Sequence, residues 1–411
     1  MRRDTLEILR CPYCGGRLEL VDSLFGRGDG DEIADAVLGC HCCTFPVVSG
    51  IPVLHLGNAA SAARAQIEGR DPARAARTLL GFTTDADAAR FEALAASADA
   101  TYREIVDALG PDFEGGYFLY RFSDPTYLVS HAVARAVAGT VLGGGGRAID
   151  VCGGSGHLTR SLMDLSRAPV VADLSFAKVW LARRFTAPGC EAVCCDGNAA
   201  LPFARGVFRF AMCADALHYI WTKRQLVGEM LRLIDDEGAV LVSHTHNSRT
   251  WSLSQGQALP PEGYRDLFET LTPRLFSESA LFADIVRGGP LDLARHDSGG
   301  ALDADPALTI VATSRRDVFR AHALTDPSTA RGEFRVNPLY ASEADGERVR
   351  LRLRFPSEDY EQEYGAARLY LAEEVTVDRA ALAALPASAL PPGLADLARR
   401  RVVLDLPKRY Y

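Results

Sequence analysis

The sequence predicts an α/β protein in which a mostly parallel, doubly wound sheet carries helices on both faces. Between residues 143 and 315, short apolar stretches alternate with stretches whose apolar residues recur at helical spacing. Parallel strands are usually connected by a helix, so this repetition is typical of a doubly wound sheet. The first apolar stretch, AIDV, also runs directly into a glycine-rich turn, which is typical of a ligand-binding loop in such folds.

Each element of this region is assigned from its own pattern. Short runs such as PVVADLS and ALTIVAT are rich in apolar and β-branched residues, which favours buried strands. The run TKRQLVGEMLRLI has the spacing of an amphipathic helix, and GHLTRSLMDLS, FAKVWLARRFT and EGYRDLFETLT are also expected to be helical. The expected strands are 148–151, 169–175, 191–196, 207–217, 238–244 and 307–313.

Composition limits the class of protein. The chain has 411 residues, of which 48% are hydrophobic and 24% are charged, so it is an ordinary globular protein with more than one domain. It shows neither an apolar run long enough to span a membrane nor a secretory signal, and we therefore expect a cytoplasmic protein with reduced thiols. Its net charge of -8 disfavours a nucleic-acid partner without excluding one.

Four regions are expected along the chain. Residues 1–57 form a compact β-rich unit, and residues 58–142 form an Ala-rich helical lid or linker. Residues 143–315 form the α/β domain. Residues 316–411 form an α+β extension, in which the alternating segment GERVRLRLRFPS predicts a strand.

Two Cys-x2-Cys pairs lie in the first region, in the order Cys11, Cys14, Cys40 and Cys43. Two such pairs on two turns can place four thiolates around one tetrahedral zinc ion. In a unit with little core, the ion would supply much of the folding free energy. His41 and Cys42 lie within the second pair and could replace a ligand, but Cys43 gives the regular spacing.

The segments LEILRCPYCGGRLEL and GCHCCTFPVVSGIPVL, with Pro46 and Gly50-Ile51-Pro52, resemble a zinc-ribbon family. That family includes the small activator subunit of tRNA and protein methyltransferases. The resemblance covers about the first 57 residues and implies a structural partner for another domain.

Acidic residues follow the expected strands of the α/β region. Asp150 lies in the first strand, Asp173 ends the second, and Asp196 followed by Gly197 ends the third. At such positions a carboxylate can accept hydrogen bonds from ribose hydroxyls or from an adenine amino group. The turn AIDVCGGSGHLTRSL adds backbone N–H groups that can approach a bound ligand.

Over roughly residues 117–315 this series resembles the class I S-adenosylmethionine-dependent methyltransferases, type 11-like. The resemblance implies a Rossmann-like sheet of seven strands and S-adenosylmethionine as cofactor. It assigns the methionine end of the cofactor to Asp150 and the glycine turn, the ribose to Asp173, and the adenine to Asp196. The expected cofactor contacts are Asp150, Gly153, Gly154, Gly156, Asp173, Leu174, Asp196, Gly197, Ala214 and Tyr120.

Two residues depart from the family pattern. Cys152 stands where the family has its first glycine, and its Cβ would crowd the turn unless φ is negative there. Arg209 stands where the family commonly has a structural aspartate.

Histidines follow the fourth and fifth expected strands. His244 and His246 share a face by alternation, and we expect one of them to act as general base for a hydroxyl acceptor. Two alternatives remain: they line the pocket without reacting, or they bind a metal together with Asp215. His218 is expected to pack beside the cofactor.

The segment Tyr117–Tyr127 is expected to form a lid over the cofactor. The sequence thus predicts an S-adenosylmethionine-dependent methyltransferase that acts on an oxygen or nitrogen of a small molecule, such as a natural product. The alternatives are methylation of an rRNA or tRNA base and a non-catalytic S-adenosylmethionine-binding protein.

Overall fold

The computed structural model describes residues 1–21, 25–110, 113, 116–143, 145–252 and 256–411. The N-terminal unit begins with a short helix and continues as an antiparallel sheet in the order β1-β3-β4-β5, with β2 paired to β3. Its elements are α1 (Arg3–Ile8), β1 (Glu19–Leu20), β2 (Arg27–Asp29), β3 (Glu32–Gly39), β4 (Thr44–Val48) and β5 (Ile51–Pro52).

A helical region connects this unit to the central sheet. Side-chain caps mark most of its helix starts: Asp71, Thr84, Thr101 and Asp124 each accept a backbone N–H of the first turn. The helices are α2 (Asn58–Glu68), α3 (Pro72–Leu80), α4 (Asp85–Ala96), α5 (Tyr102–Leu109) and α6 (Pro125–Leu142), and a 3-10 helix covers Gly116–Ser123.

The central sheet has seven strands in the order β11-β13-β10-β9-β6-β7-β8. Only β13 runs antiparallel to its neighbours, so the prediction of a mostly parallel seven-stranded Rossmann-like sheet is confirmed. The strands, with the minor strand β12, are β6 (Ala148–Val151), β7 (Val170–Asp173), β8 (Glu191–Cys194), β9 (Phe208–Ala214), β10 (Ile234–His246), β11 (Arg274–Ser277), β12 (Leu291–Asp292) and β13 (Ala307–Thr313).

The helices of this domain are shorter than the sequence predicts. After the glycine turn only a 3-10 segment, Thr159–Leu162, replaces the expected helix. There Thr159 hydrogen-bonds Asp150 and Arg160 pairs with Asp405, so tertiary contacts override helix propensity. The remaining helices are α7 (Phe176–Leu181), continued by a π-helix over Ala182–Thr186, α8 (Lys223–Leu233), α9 (Pro261–Arg265), α10 (Glu278–Val286) and α11 (Gly299–Ala304).

The N-terminal unit packs against the edge of the central sheet. Val53 pairs in parallel with Cys194 of β8, and the Leu54 N–H donates to the Cys194 carbonyl at 2.7 Å. Apolar side chains of the unit, among them Val48 and Ile51, share a buried cluster with Val171 of β7. The edge strand β8 is therefore covered rather than left open to another chain.

The C-terminal region contains a three-stranded antiparallel sheet, β16-β17-β18, and a pair, β15-β19. None of the described helices combines the length and apolar character needed to cross a membrane. The elements are β14 (Ala321–His322), β15 (Glu333–Val336), β16 (Tyr340–Asp345), β17 (Arg348–Leu353), α12 (Glu358–Tyr364), β18 (Glu374–Asp378), α13 (Arg379–Leu382), α14 (Ala395–Arg399) and β19 (Val403–Leu406).

Candidate active site

The glycine turn after β6 is held against the neighbouring strand. The Gly153 N–H donates to the Ala172 carbonyl at 3.2 Å, and the Gly154 N–H donates to Oδ2 of Asp173 at 3.0 Å. Gly154 has a φ of 53°, and a Cβ added there would meet only the Phe118 ring, at 3.7 Å. The turn therefore leaves open space below Phe118, in which a ligand could approach the backbone.

Cys152 has a φ of 58°, so it adopts the left-handed backbone that glycine would adopt without strain. Its sulfur lies beside Gly197, where an added Cβ would be 3.0 Å away. A hydrogen bond with Cys213, together with burial, holds the pKa of the Cys152 thiol well above its ordinary value, so the thiol is neutral. Arg209, the other residue that departs from the family pattern, forms a partly exposed ion pair with Asp235 at 3.1 Å.

The three predicted acids belong to neighbouring strands: Asp150 lies within β6, Asp173 ends β7, and Asp196 follows the end of β8. Asp173 accepts the N–H groups of Gly154 and Ser175, and Asp196 accepts the N–H of Asn198. Leu174, next to Asp173, has a side chain that is 53% exposed. These strand ends offer both carboxylates and apolar surface to a nucleoside.

Asp150 is the most buried of the three acids, with 1% exposure. Its Oδ2 accepts the Thr159 hydroxyl at 2.7 Å, and its Oδ1 has no partner in the described part of the chain. Burial raises the pKa of Asp150 to about 7. An unpaired buried oxygen at the base of the turn suits a ligand that supplies a donor there.

The 3-10 helix Gly116–Ser123, part of the segment expected to form a lid, lies over the glycine turn. Phe118 lies above Gly154 and stacks on His157, with the ring centroids 5.4 Å apart. The Tyr410 hydroxyl donates to the Phe118 carbonyl at 2.6 Å, so the C-terminal region holds the lid in place. Tyr120, the expected cofactor contact, packs instead against Tyr360, and the lid residue nearest the glycine turn is Phe118.

An ionic cluster lies between the lid and the end of β9. Arg121 is 5% exposed and donates to Asp215 at 2.8 Å and to Asp124 at 3.3 Å. Burial raises the pKa of Asp124 to about 6. At Asp215 burial also acts to raise the pKa, but Arg121 and the neighbouring histidines together outweigh it and lower the pKa. Arg121 lies within the segment that the sequence predicts as a lid, but its pairing with Asp215 could not be predicted, because 94 residues separate the two.

His244 joins this cluster from the end of β10. Its Nδ1 lies 2.7 Å from Oε1 of Glu278, and its Nε2 lies 4.0 Å from Oδ1 of Asp215. Burial alone would lower the pKa of His244, but Glu278 and Asp215 outweigh it and raise the pKa to about 9. Two carboxylates thus fix the ring of His244, and its expected role as general base stays a prediction.

His246 and His218 complete the cluster. The His246 Nδ1 lies 2.8 Å from the Ser252 hydroxyl, and its ring stands 5.3 Å from that of His244, nearly perpendicular to it. The His218 ring stacks on His246 at 4.0 Å, and neither of its nitrogens has a partner among the described residues. Burial, the leading cause, and His246 lower the pKa of His218 to about 3.

Exposed apolar side chains surround the carboxyl edge of the sheet. They lie on the 3-10 helix Gly116–Ser123 and on the loops after β7, β9 and β10, where exposed large apolar side chains are typical of a binding surface. They are Tyr117, Leu174, Tyr219, Trp221 and Trp251.

Four cysteines of the N-terminal unit bring their sulfurs within 4.8 Å of one another: Cys11, Cys14, Cys40 and Cys42. The convergence of four thiols fits a tetrahedral zinc ion. Cys43, the predicted fourth ligand, lies outside this group, but its sulfur is 3.2 Å from that of Cys42, so its role as a ligand stays a prediction. The Cys43 carbonyl accepts the Cys40 N–H at 3.0 Å, and its side chain packs against the core at the start of β4.

Comparison of the sequence with known families identifies part of the central domain. Residues 148–238 match the methyltransferase domain family. The chain carries a class I methyltransferase domain. Domains of this class use S-adenosylmethionine as methyl donor, which agrees with the predicted enzyme class. No curated protein matches the sequence.

Solved structures with similarity to the methyltransferase come from several organisms. The Bacillus subtilis YcgJ protein is 15% identical, over 41% of this chain and 92% of that chain, with a TM-score of 0.30. A chain in the Haloferax volcanii complex between the Trm112 methyltransferase activator and a methyltransferase is 17% identical, over 45% of this chain and 90% of that chain, with a TM-score of 0.35. Geranyl diphosphate C-methyltransferase from Streptomyces coelicolor A3(2) is 16% identical, over 41% of this chain and 69% of that chain, with a TM-score of 0.31. With TM-scores this low, these similarities do not identify an acceptor.

Proposed function

We propose that this methyltransferase transfers a methyl group to an oxygen or nitrogen of a small-molecule acceptor bound at the carboxyl ends of β9 and β10. The observation that carries the proposal is the ionic cluster of Arg121, Asp215 and His244, which lies between the 3-10 helix Gly116–Ser123 and the ends of β9 and β10. Its charged groups are enclosed, so they suit a small polar acceptor better than the open face of a nucleic acid.

The residues of the glycine turn and the strand ends would bind the cofactor. When bound there, S-adenosylmethionine would supply an electrophilic methyl group on its sulfonium. The unpaired Oδ1 of Asp150 can accept the ammonium of the methionine end. Asp173 can accept ribose hydroxyls, and exposed Leu174 offers apolar contact to the adenine.

Where the methyl acceptor binds, the protein needs a group that orients the acceptor's hydroxyl or amine. Oδ2 of Asp215 is held by Arg121, and no described donor occupies Oδ1, which can accept a hydrogen bond from an acceptor hydroxyl or amine. Such a bond would fix the orientation of the acceptor, and a fixed orientation is what an in-line displacement requires. The exposed rings of Tyr219, Trp221 and Trp251 could stack on a planar acceptor.

We also propose a structural zinc ion in the N-terminal unit, on Cys11, Cys14, Cys40 and Cys42. The unit covers the β8 edge of the methyltransferase domain, so the ion would support that contact. The unit then acts as a partner within the same chain.

Two measurements test the proposed function. Calorimetric titration with S-adenosylhomocysteine should show binding to the wild type and at least about tenfold weaker binding to D173A, because one hydrogen bond to a charged group is worth about 1.5–3 kcal/mol. Methyl-labelled cofactor should then label small phenols or amines, and D215A should abolish that label. Absence of cofactor heat would favour a non-catalytic role, and label in tRNA or rRNA alone would favour base methylation.

A further inference from the structure

We propose that Asp215, His244 and His246 bind a divalent transition-metal cation at the carboxyl ends of β9 and β10. Each of the three offers one ligand atom, and these atoms lie within 4.8 Å of one another. Two imidazoles and one carboxylate are a donor set that Zn²⁺, Fe²⁺, Co²⁺ and Mn²⁺ accept. The role of the ion in methyl transfer rests on the proposed function, whereas binding of the ion does not.

Each candidate ligand is oriented by a neighbour through a second atom. Glu278 holds Nδ1 of His244 at 2.7 Å, and the Ser252 hydroxyl holds Nδ1 of His246 at 2.8 Å. Arg121 holds Oδ2 of Asp215 at 2.8 Å, which leaves Oδ1 on the side of His244. Metal-binding histidines usually have their other ring nitrogen fixed in this way by a carboxylate or another oxygen, which sets the ring orientation.

The backbone also departs from regular geometry at two of these residues. Asp215 and His244 have φ values of 53° and 49°, although neither is a glycine. The register of β10 with β13 shifts between Val242 and Thr245, so a β-bulge redirects the His244 side chain. Left-handed non-glycine residues are costly and are kept mainly where a site requires a particular side-chain direction.

A third observation is the unsatisfied histidine beside the cluster. His218 is fully buried, its ring lies 4.0 Å from that of His246, and neither nitrogen has a partner among the described residues. Buried polar groups are nearly always hydrogen-bonded. A water molecule bound to the ion, or an atom of the methyl acceptor bound to it, would give His218 a hydrogen-bond partner.

Three protein ligands leave coordination positions open, as in catalytic rather than structural metal sites. The ion would hold the acceptor through its oxygen and make that hydroxyl more acidic. The hydroxyl proton then passes to water, the oxygen forms the bond to the methyl carbon, and the bond from that carbon to sulfur breaks with the electron pair on sulfur.

Cobalt binding to the full chain tests this inference. The wild type, isolated with its N-terminal zinc, should bind one further Co²⁺ whose spectrum lacks thiolate-to-metal charge transfer, since the site contains no sulfur. H244A and H246A should each weaken this binding at least about 100-fold, and E278Q about 10–100-fold. H296A removes an exposed histidine and should bind Co²⁺ like the wild type.

Folding of each variant is checked by its melting temperature and by titration with S-adenosylhomocysteine. The inference is overturned if the wild type binds no further Co²⁺, if the new absorption is that of a thiolate site, or if folded H244A and H246A bind Co²⁺ like the wild type. Cobalt binding without S-adenosylhomocysteine binding would support the metal site and contradict the proposed function. The reverse result would contradict the metal site alone.

Discussion

Replacing Cys152 by glycine tests whether the turn after β6 really holds this residue in the left-handed region. A φ of 58° costs a residue with a Cβ about 1–2 kcal/mol, and glycine escapes that cost. Because the substitution also removes the sulfur beside Gly197, the matched comparison is Cys152→Ala, which loses the sulfur but keeps the Cβ.

The expected difference between the two variants follows from two opposing effects. Glycine relieves the backbone strain of about 1–2 kcal/mol. It also gives the unfolded protein more conformational freedom, which lowers the free energy of unfolding by about 0.4–1 kcal/mol. C152G should therefore be more stable than C152A by about 0.5–1 kcal/mol. At an ordinary position the order is reversed, with glycine less stable than alanine by about 0.5–1 kcal/mol.

Thermal unfolding followed by circular dichroism measures this difference. C152G should melt about 1 °C above C152A. Cys190 supplies the control pair, since it is buried and its φ is not positive: C190G should melt below C190A. If C152G melts at or below C152A while the control behaves as stated, the strain argument is refuted.

Three further predictions concern the zinc ligands, the buried acid and the lid. Cys42→Ser should lower the zinc content measured by mass spectrometry by about one ion per chain, whereas Cys43→Ser should leave it unchanged; the opposite pattern would restore the spacing-based assignment. The carboxyl of Asp150 has its pKa raised to about 7, so the folded protein holds this proton more tightly than the unfolded chain does. Its contribution to stability is present at acidic pH and is lost as pH rises towards 7. Relative to the wild type, D150N should therefore gain up to about 4 kcal/mol between pH 4 and pH 7 in denaturation curves, and a pH-independent difference would contradict the argument. Tyr410→Phe leaves the Phe118 carbonyl without its donor, at a cost of about 1–3 kcal/mol, and should speed hydrogen exchange over residues 116–123; unchanged exchange there would mean that this bond does not hold the lid.

Local signals in the sequence were sufficient for the central sheet and for the glycine turn. Apolar runs such as AIDV and ALTIVAT identify buried strands because a parallel sheet covered on both faces leaves them no polar side. The seventh strand, RLFS at Arg274–Ser277, has too few apolar residues to stand out by itself. A seventh strand was expected only because the sequence resembles the methyltransferases.

The acceptor side could not be predicted in the same way, because its contacts join residues far apart in the chain. Nothing near His244 in sequence indicates that Glu278 would hold its ring, and nothing near Arg121 indicates Asp215. The choice between Cys42 and Cys43 likewise depends on which side chain the start of β4 turns towards the core, which spacing alone does not determine.

The pairing of Val53 with Cys194 has a consequence for how the protein behaves on dilution. A separate subunit at the same edge would dissociate as its concentration fell, and the uncovered strand would then be available for aggregation. Here the cover is tethered, so its local concentration is set by the length of the connecting chain rather than by expression level. One gene product thereby fixes a one-to-one ratio that two separate genes would have to balance.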